Sequence, residues 1–129
     1  GRKTLESFPG GKPLKNRVNI VLTQNQDFAP EGVTVCHSIE ETLKTLKQYP
    51  KEDVFIIGGG MIYKALLPWC EKAYITHVYH TFEADTYLPD LEAQEDWKMA
   101  SAGERFTNGP EGDQPALDYE FRIYERQCQ

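Results

Sequence analysis

At 129 residues the chain fits one compact domain and leaves no room for two of ordinary size. Its 40% hydrophobic and 26% charged residues describe a globular protein and exclude a disordered one. A net charge of −6 supplies no global attraction to nucleic acid or to an anionic membrane, so any bound anion needs a local cluster.

The three cysteines, Cys36, Cys70 and Cys128, are widely spaced and form no CxxC. That argues against a disulfide scaffold and a zinc site, and suits a reducing cytosol. No apolar run approaches the roughly 20 residues of a membrane-spanning helix. The chain opens GRKTLESF without an initiator Met, which creates the expectation of further residues upstream.

In chain order, GRKT at 1–4 reads as a helix start, followed by the Gly/Pro-dense loop PGGKPLKN. Residues 17–23, RVNIVLT, read as a mostly buried strand because Ile20, Val21 and Leu22 run together, and 33–36, VTVC, as a shorter one. Ser38 followed by Glu41 fits a capping box, with the serine capping the Glu41 amide and the glutamate reaching back to the serine amide. Ile39, Leu43 and Leu46 then form one apolar helical face, which ends at Tyr49-Pro50. Val54–Ile57 has the unbroken apolar character of a central parallel strand, and Met61–Leu67 that of a helix stopped by Pro68.

Residues 73–79, AYITHVY, read as a strand with Tyr74, Thr76 and Val78 on one face and Ile75, His77 and Tyr79 on the other. Two further strands, 97–106 and 117–125, flank the turn-rich TNGPEGDQPA and imply an antiparallel hairpin. This order predicts an α/β sheet with parallel crossovers and an antiparallel edge, its ligands gathered at the carboxyl ends of the strands.

The stretch VFIIGGGMIY puts Gly58-Gly59-Gly60 between a strand and a helix, an arrangement that offers bare amides to an anion. It matches neither GxGxxG nor the Walker pattern, and three glycines would equally make a tight turn. Arg2, Lys3 and Thr4 form a second candidate anion site, with a solvated helix start as its plainer reading. Two such sites in an acidic domain fit a ligand with separated phosphates, such as a dinucleotide, to which Thr23 and Gln24 can add donors. Arg17 can hold a carboxylate bidentately or simply lie exposed. Thr76 is a hydroxyl on a strand that looks buried, and a strand-filling role would equally explain it. His37, His77 and His80 make no ligand pattern, and neither a catalytic triad nor GxSxG is present.

GRKT at 1–4, PLKNRVNIVLT at 13–23, VFIIGGGMIY at 54–63, ITHV at 75–78, EADTYLPD at 83–90 and DYEFRIYER at 118–126 together resemble the bacterial dihydrofolate reductases. The resemblance spans essentially the whole chain and implies a single domain over 1–129. The implied fold is α/β, a mostly parallel central sheet flanked by helices with a C-terminal antiparallel hairpin. It implies NADPH-dependent reduction of dihydrofolate to tetrahydrofolate by a cytoplasmic oxidoreductase that is a target of antifolate inhibitors, monomeric once complete, with neither nucleic acid nor membrane as partner.

By the family's pattern Arg2 and Thr23-Gln24 hold the adenosine 2′-phosphate, with Lys3 and Thr4 at the pyrophosphate. Gly58-Gly59 carries a cis peptide; Gly59, Gly60, Met61 and Ile62 cradle the diphosphate, and Tyr63 lies near the nicotinamide and the substrate. Ile57 contacts both ligands and offers its carbonyl to the pterin. Gly1, Leu22, His37, Gly58 and Thr86 complete the cofactor contacts. On the substrate side, Leu14 packs on the aminobenzoyl ring, Arg17 pairs the glutamate α-carboxylate, Thr76 reaches the pterin through a carboxylate and a water, and Ser7 lies nearby. Asp85 belongs to the loop that braces the mobile active-site lid. Ala84 and Met61 depart from common family choices, and Met61 supplies no cation to the 2′-phosphate.

The family's first strand, its Leu-Pro-Trp lid and the helix bearing its catalytic carboxylate all precede GRKT in that pattern. The sequence therefore predicts about 40 absent N-terminal residues, no catalytic acid in this chain, and an inactive isolated polypeptide. A pyrimidine reductase of riboflavin synthesis and a non-catalytic NADPH-binding fragment that needs its missing part are the competing readings. Arg17 and the ITHV strand favour the folate enzyme.

Overall fold

The computed structural model describes residues 1–110, 112 and 115–127; Cys128 and part of the expected 107–116 connection lie outside the described residues. The chain divides into two compact units, Gly1–Pro68 and Trp69–Gln129. Among the described residues no helix is long and apolar enough to cross a membrane.

In the first unit, α1 (Arg2–Glu6) buries Leu5 and packs on β1 (Ile20–Leu22). β1 pairs in parallel with β2 (Thr34–Cys36), Val21 standing opposite Val35. The first strand is shorter than 17–23 because the chain turns at Lys15–Asn16 and bends at Arg17, and the ladder begins only at Ile20. Helix α2 (Ile39–Leu46) starts where the sequence places it. Ser38 Oγ accepts the Glu41 N–H at 3.0 Å, and Thr42, buried, donates its hydroxyl to the Ser38 carbonyl at 2.8 Å. The return arm of the capping box differs from expectation. Glu41 Oε2 accepts from the His37 amide at 2.9 Å, because the extended backbone of Ser38 leaves the preceding N–H within reach.

Val54–Ile57 does not form the expected central strand. The segment belongs to no ladder, and its burial alternates, with Phe55 and Ile57 exposed. A run of this composition becomes a strand only when a neighbour takes up its amides and carbonyls in register. The helical crossover from β2 therefore closes no second parallel pair, and the sheet is not mostly parallel: among the described strands only β1 and β2 run parallel. Helix α3 (Gly60–Leu66) follows, and Pro68 sits in a 3₁₀ turn, Leu67–Trp69, that ends it.

The second unit is an antiparallel sheet of β3 (Lys72–Val78), β4 (Trp97–Ala102), β5 (Phe106–Asn108) and β6 (Leu117–Arg126), in which β6 pairs with all three others. The expected 97–106 strand is broken. Its register shifts between Met99 and Ser101, and the Gly103 N–H turns to the Phe121 carbonyl at 2.8 Å before pairing resumes at Phe106. The hairpin of β5 and β6 is antiparallel, as its turn residues imply.

Register settles the two faces of β3. Ala73, Ile75 and His77 oppose Tyr124, Arg122 and Glu120, on the face closed by the 91–97 segment with buried Leu91 and Trp97. Tyr74 and Thr76 oppose Ile123 and Phe121 on the other face, where Tyr74 and Phe121 are 64% and 57% exposed. Thr76 is thus exposed, contrary to the buried strand expected for it, because the apolar cover lies on the opposite side.

Candidate functional site

GRKT and the triple glycine are neighbours in the first unit. The backbone nitrogen of Gly1 donates to the Gly58 carbonyl at 2.7 Å. A Cβ on Gly1 would stand 3.3 Å from Cγ1 of Ile62, and one on Gly59 would stand 3.7 Å from Oγ1 of Thr4. The N-terminal turns of α1 and α3 therefore approach each other across bare backbone. Gly58 adopts φ +115°, a conformation that L side chains rarely take, and the Gly58–Gly59 peptide is cis. Tyr63 donates its N–H to the Gly59 carbonyl at 2.9 Å and lays its ring against buried Gly58. Burial raises the Tyr63 phenol above its ordinary range, so it stays neutral at physiological pH.

Around this turn, Lys3 is exposed and Thr4 half-buried. Arg2 donates Nη1 to Glu6 Oε1 at 2.9 Å, one helical turn along. Ile57 is exposed, Met61 is 85% exposed and Ile62 half-buried, while Ser7 donates its hydroxyl to the Thr4 carbonyl at 2.6 Å.

A second group gathers where β1 and β2 end. Because the strands are parallel, both carboxyl ends lie at one edge. The Thr23 N–H donates to the Cys36 carbonyl at 2.9 Å, and His37 Nδ1 lies 2.9 Å from the Thr23 carbonyl. A carbonyl only accepts, so Nδ1 carries the proton and Nε2 faces elsewhere. Thr23 Oγ1 accepts the Asn25 amide at 3.2 Å, Gln24 is exposed and Leu22 half-buried.

Leu14 and Arg17 share one tight loop. Asn16 within it has φ +62°, which asparagine tolerates better than most residues. Arg17 spends Nε on the Lys15 carbonyl at 2.9 Å, which leaves its two terminal nitrogens as a fork. Asn19, passed over in the sequence, holds this loop: the Leu14 N–H donates to its Oδ1 at 3.0 Å, and its Nδ2 donates to the Leu14 and Arg17 carbonyls at 2.9 and 3.1 Å. Its signal was an amide between apolar Val18 and Ile20.

Thr76, Asp85 and Thr86 belong to the second unit, the last two in the exposed 80–88 stretch. That unit also carries a polar cluster that the sequence did not announce. Tyr79 donates its hydroxyl to Glu120; Arg122 donates Nε to Glu120 at 3.1 Å and Nη1 to Glu92 at 3.2 Å; Tyr124 donates to Glu92 at 2.9 Å. The Tyr79 hydroxyl and Arg122 hold Glu120 below the usual carboxylate range. Three alternate residues of β6, Glu120, Arg122 and Tyr124, join this network, so alternation flags a polar face, but the partners come from distant segments.

A dihydrofolate reductase family model matches residues 1–126. The chain belongs to the dihydrofolate reductase family. It is 40% identical over 126 residues to the dihydrofolate reductase of Staphylococcus haemolyticus, covering 98% of this chain and 70% of that protein. Identity to the dihydrofolate reductase of Bacillus subtilis (strain 168) is 36%, with the same coverage. Among solved structures, dihydrofolate reductase from Enterococcus faecalis complexed with NADP(H) and RAB-propyl superimposes with a TM-score of 0.72 at 33% identity, over 99% of this chain and 72% of that one. The chain's function is accordingly that of a dihydrofolate reductase, an oxidoreductase, and not that of the pyrimidine reductase considered beside it.

Proposed function

We propose that this chain binds NADPH through the residues gathered in its first unit and works in the reduction of 7,8-dihydrofolate to tetrahydrofolate. The carrying observation is the meeting of GRKT with the triple glycine, where the Gly1 nitrogen donates to the Gly58 carbonyl at 2.7 Å and Thr4 Oγ1 lies 3.7 Å from where a Cβ on Gly59 would stand. A diphosphate needs that geometry, with amides close enough to donate and cations at the rim. Arg2 and Lys3 supply the cations, and Gly59, Gly60, Met61 and Ile62 the amides. Thr23, Gln24 and His37, with Leu22, line the strand ends and extend the site toward the 2′-phosphate together with Arg2.

NADPH supplies the hydride, and the protein's part is to bind, orient and exclude water. Tyr63, neutral and packed on Gly58, and exposed Ile57 form the wall for the nicotinamide and pterin. Leu14 offers an apolar contact to the aminobenzoyl ring, with Ser7 near it, and the free fork of Arg17 suits the glutamate α-carboxylate. Gly1 anchors the cradle through the Gly58 carbonyl. Thr76, Thr86 and Asp85 retain the roles implied by the resemblance: a pterin contact, a cofactor contact and a place in the loop that braces the lid. No carboxylate of this chain is assigned the proton-handling role. Antifolates would occupy the substrate part of the same site.

The test is dihydrofolate-dependent oxidation of NADPH against NADH in the enzyme and in Arg2→Ala. Loss of a charge-assisted phosphate contact weakens NADPH by roughly 1.5–3 kcal/mol and leaves NADH nearly unmoved. Equal losses for the two cofactors would remove Arg2 from the 2′-phosphate site.

A further inference from the structure

We propose that Asn19 is a positioning residue for substrate recognition, fixing the loop through which Arg17 meets the substrate carboxylate. The inference rests on the carboxylate role given to Arg17 above.

Asn19 joins two structures. Its backbone is tied to the parallel pair, since the Thr34 N–H of β2 donates to the Asn19 carbonyl at 2.9 Å. Its side chain reaches back over the loop and satisfies three main-chain groups: the Leu14 N–H at 3.0 Å, the Leu14 carbonyl at 2.9 Å and the Arg17 carbonyl at 3.1 Å. An asparagine amide can do this because it presents an acceptor and two donors on one rigid plane. Aspartate lacks the donors, and leucine lacks both kinds of group.

What the clamp holds is a loop with few other constraints. Lys15, Asn16, Arg17 and Val18 are all exposed, so apolar burial does little to set their path. Arg17 Nε is committed to the Lys15 carbonyl at 2.9 Å, so the orientation of the guanidinium follows the backbone between residues 15 and 17. Bidentate recognition of a carboxylate is sensitive to that orientation, because both parallel hydrogen bonds must form together. Asn19 thus relays the position of the sheet to a side chain that no core contact holds.

Steady-state kinetics with two substrates test the idea: dihydrofolate, and 6-methyl-7,8-dihydropterin, which ends before the aminobenzoylglutamate and so has no carboxylate for Arg17. In Asn19→Ala the KM for dihydrofolate rises about tenfold, that for the dihydropterin less than about threefold, and kcat falls far less than KM rises. Asn19→Asp keeps the acceptor for the Leu14 N–H and drops both donors, so it shows the same selectivity if the alanine variant folds poorly. Equal rises for the two substrates, or no rise in either variant, overturn the positioning role. Arg17→Leu, measured in parallel, separates the two levels. If it discriminates the substrates and the Asn19 variants do not, only the positioning inference falls; if it fails to discriminate, the carboxylate role of Arg17 falls first and takes the inference with it.

Discussion

Tyr63 packs its ring edge against Gly58: a Cβ built on that glycine would stand 3.3 Å from Cε2 and 3.4 Å from the hydroxyl oxygen of Tyr63. Two separate restrictions therefore act on position 58, the φ of +115° and the ring. Gly58→Ala should lose about 2 kcal/mol of stability, from a backbone conformation that alanine disfavours and a contact that the buried turn cannot relax. Tyr63→Leu in the same background relieves only the second. Urea unfolding of the two single variants and the double variant should show partial, incomplete recovery. Full recovery would mean that the backbone conformation carries no cost for alanine.

The Ser38 cap makes a simpler prediction. Its hydroxyl accepts the Glu41 N–H at 3.0 Å at the start of α2. Ser38→Ala should lower stability by about 1 kcal/mol and Ser38→Gly by only a few tenths, read as shifts in the urea midpoint at constant slope. Equal effects would locate the cost in the backbone rather than in the hydroxyl.

Acid should weaken the second unit. Asp118 is held below the usual carboxylate range first by the Thr107 hydroxyl and then by Arg105, and Glu120 first by the Tyr79 hydroxyl and then by Arg122. Groups depressed in the folded state contribute stability that is complete above the unfolded carboxylate values, near pH 4, and that is lost as pH falls through the lower folded values. Calorimetry should find a melting temperature nearly flat between about pH 7 and 5 and a fall below about pH 4. Glu120→Gln should make that fall shallower. An unchanged acid limb would place the titrating groups elsewhere.

Arg2 has a competitor for any phosphate. Its Nη1 donates to Glu6 Oε1 at 2.9 Å, and the two side chains keep 37% and 52% of their surface exposed. Exposed pairs of this kind are worth well under 1 kcal/mol, so Glu6→Ala should tighten NADPH by no more than about fourfold. Fluorescence titration with NADPH and NADH checks it. Tighter binding of NADPH alone would show that Glu6 restrains Arg2, whereas an equal gain for both cofactors would point to a general charge effect.

The sequence by itself determined those features whose causes are local. Ser38 and the stripe Ile39, Leu43, Leu46 specify α2, because cap and periodicity act within two helical turns. Alternation in AYITHVY specifies β3 and the sides of its residues, and GGG between an apolar run and a helix specifies a close backbone approach. Order and spacing of the motifs were enough to point to the dihydrofolate reductase family. Tertiary structure decided whatever depends on a partner distant in the chain. Val54–Ile57 has the composition of a strand but belongs to no ladder, since a strand exists only with a neighbour in register. Thr76 is exposed because the 91–97 segment covers the other face of its sheet. Asn19 is inconspicuous within RVNIVLT, yet it closes three hydrogen bonds over the loop of Arg17, because a loop takes its path from the groups that satisfy its amides and carbonyls.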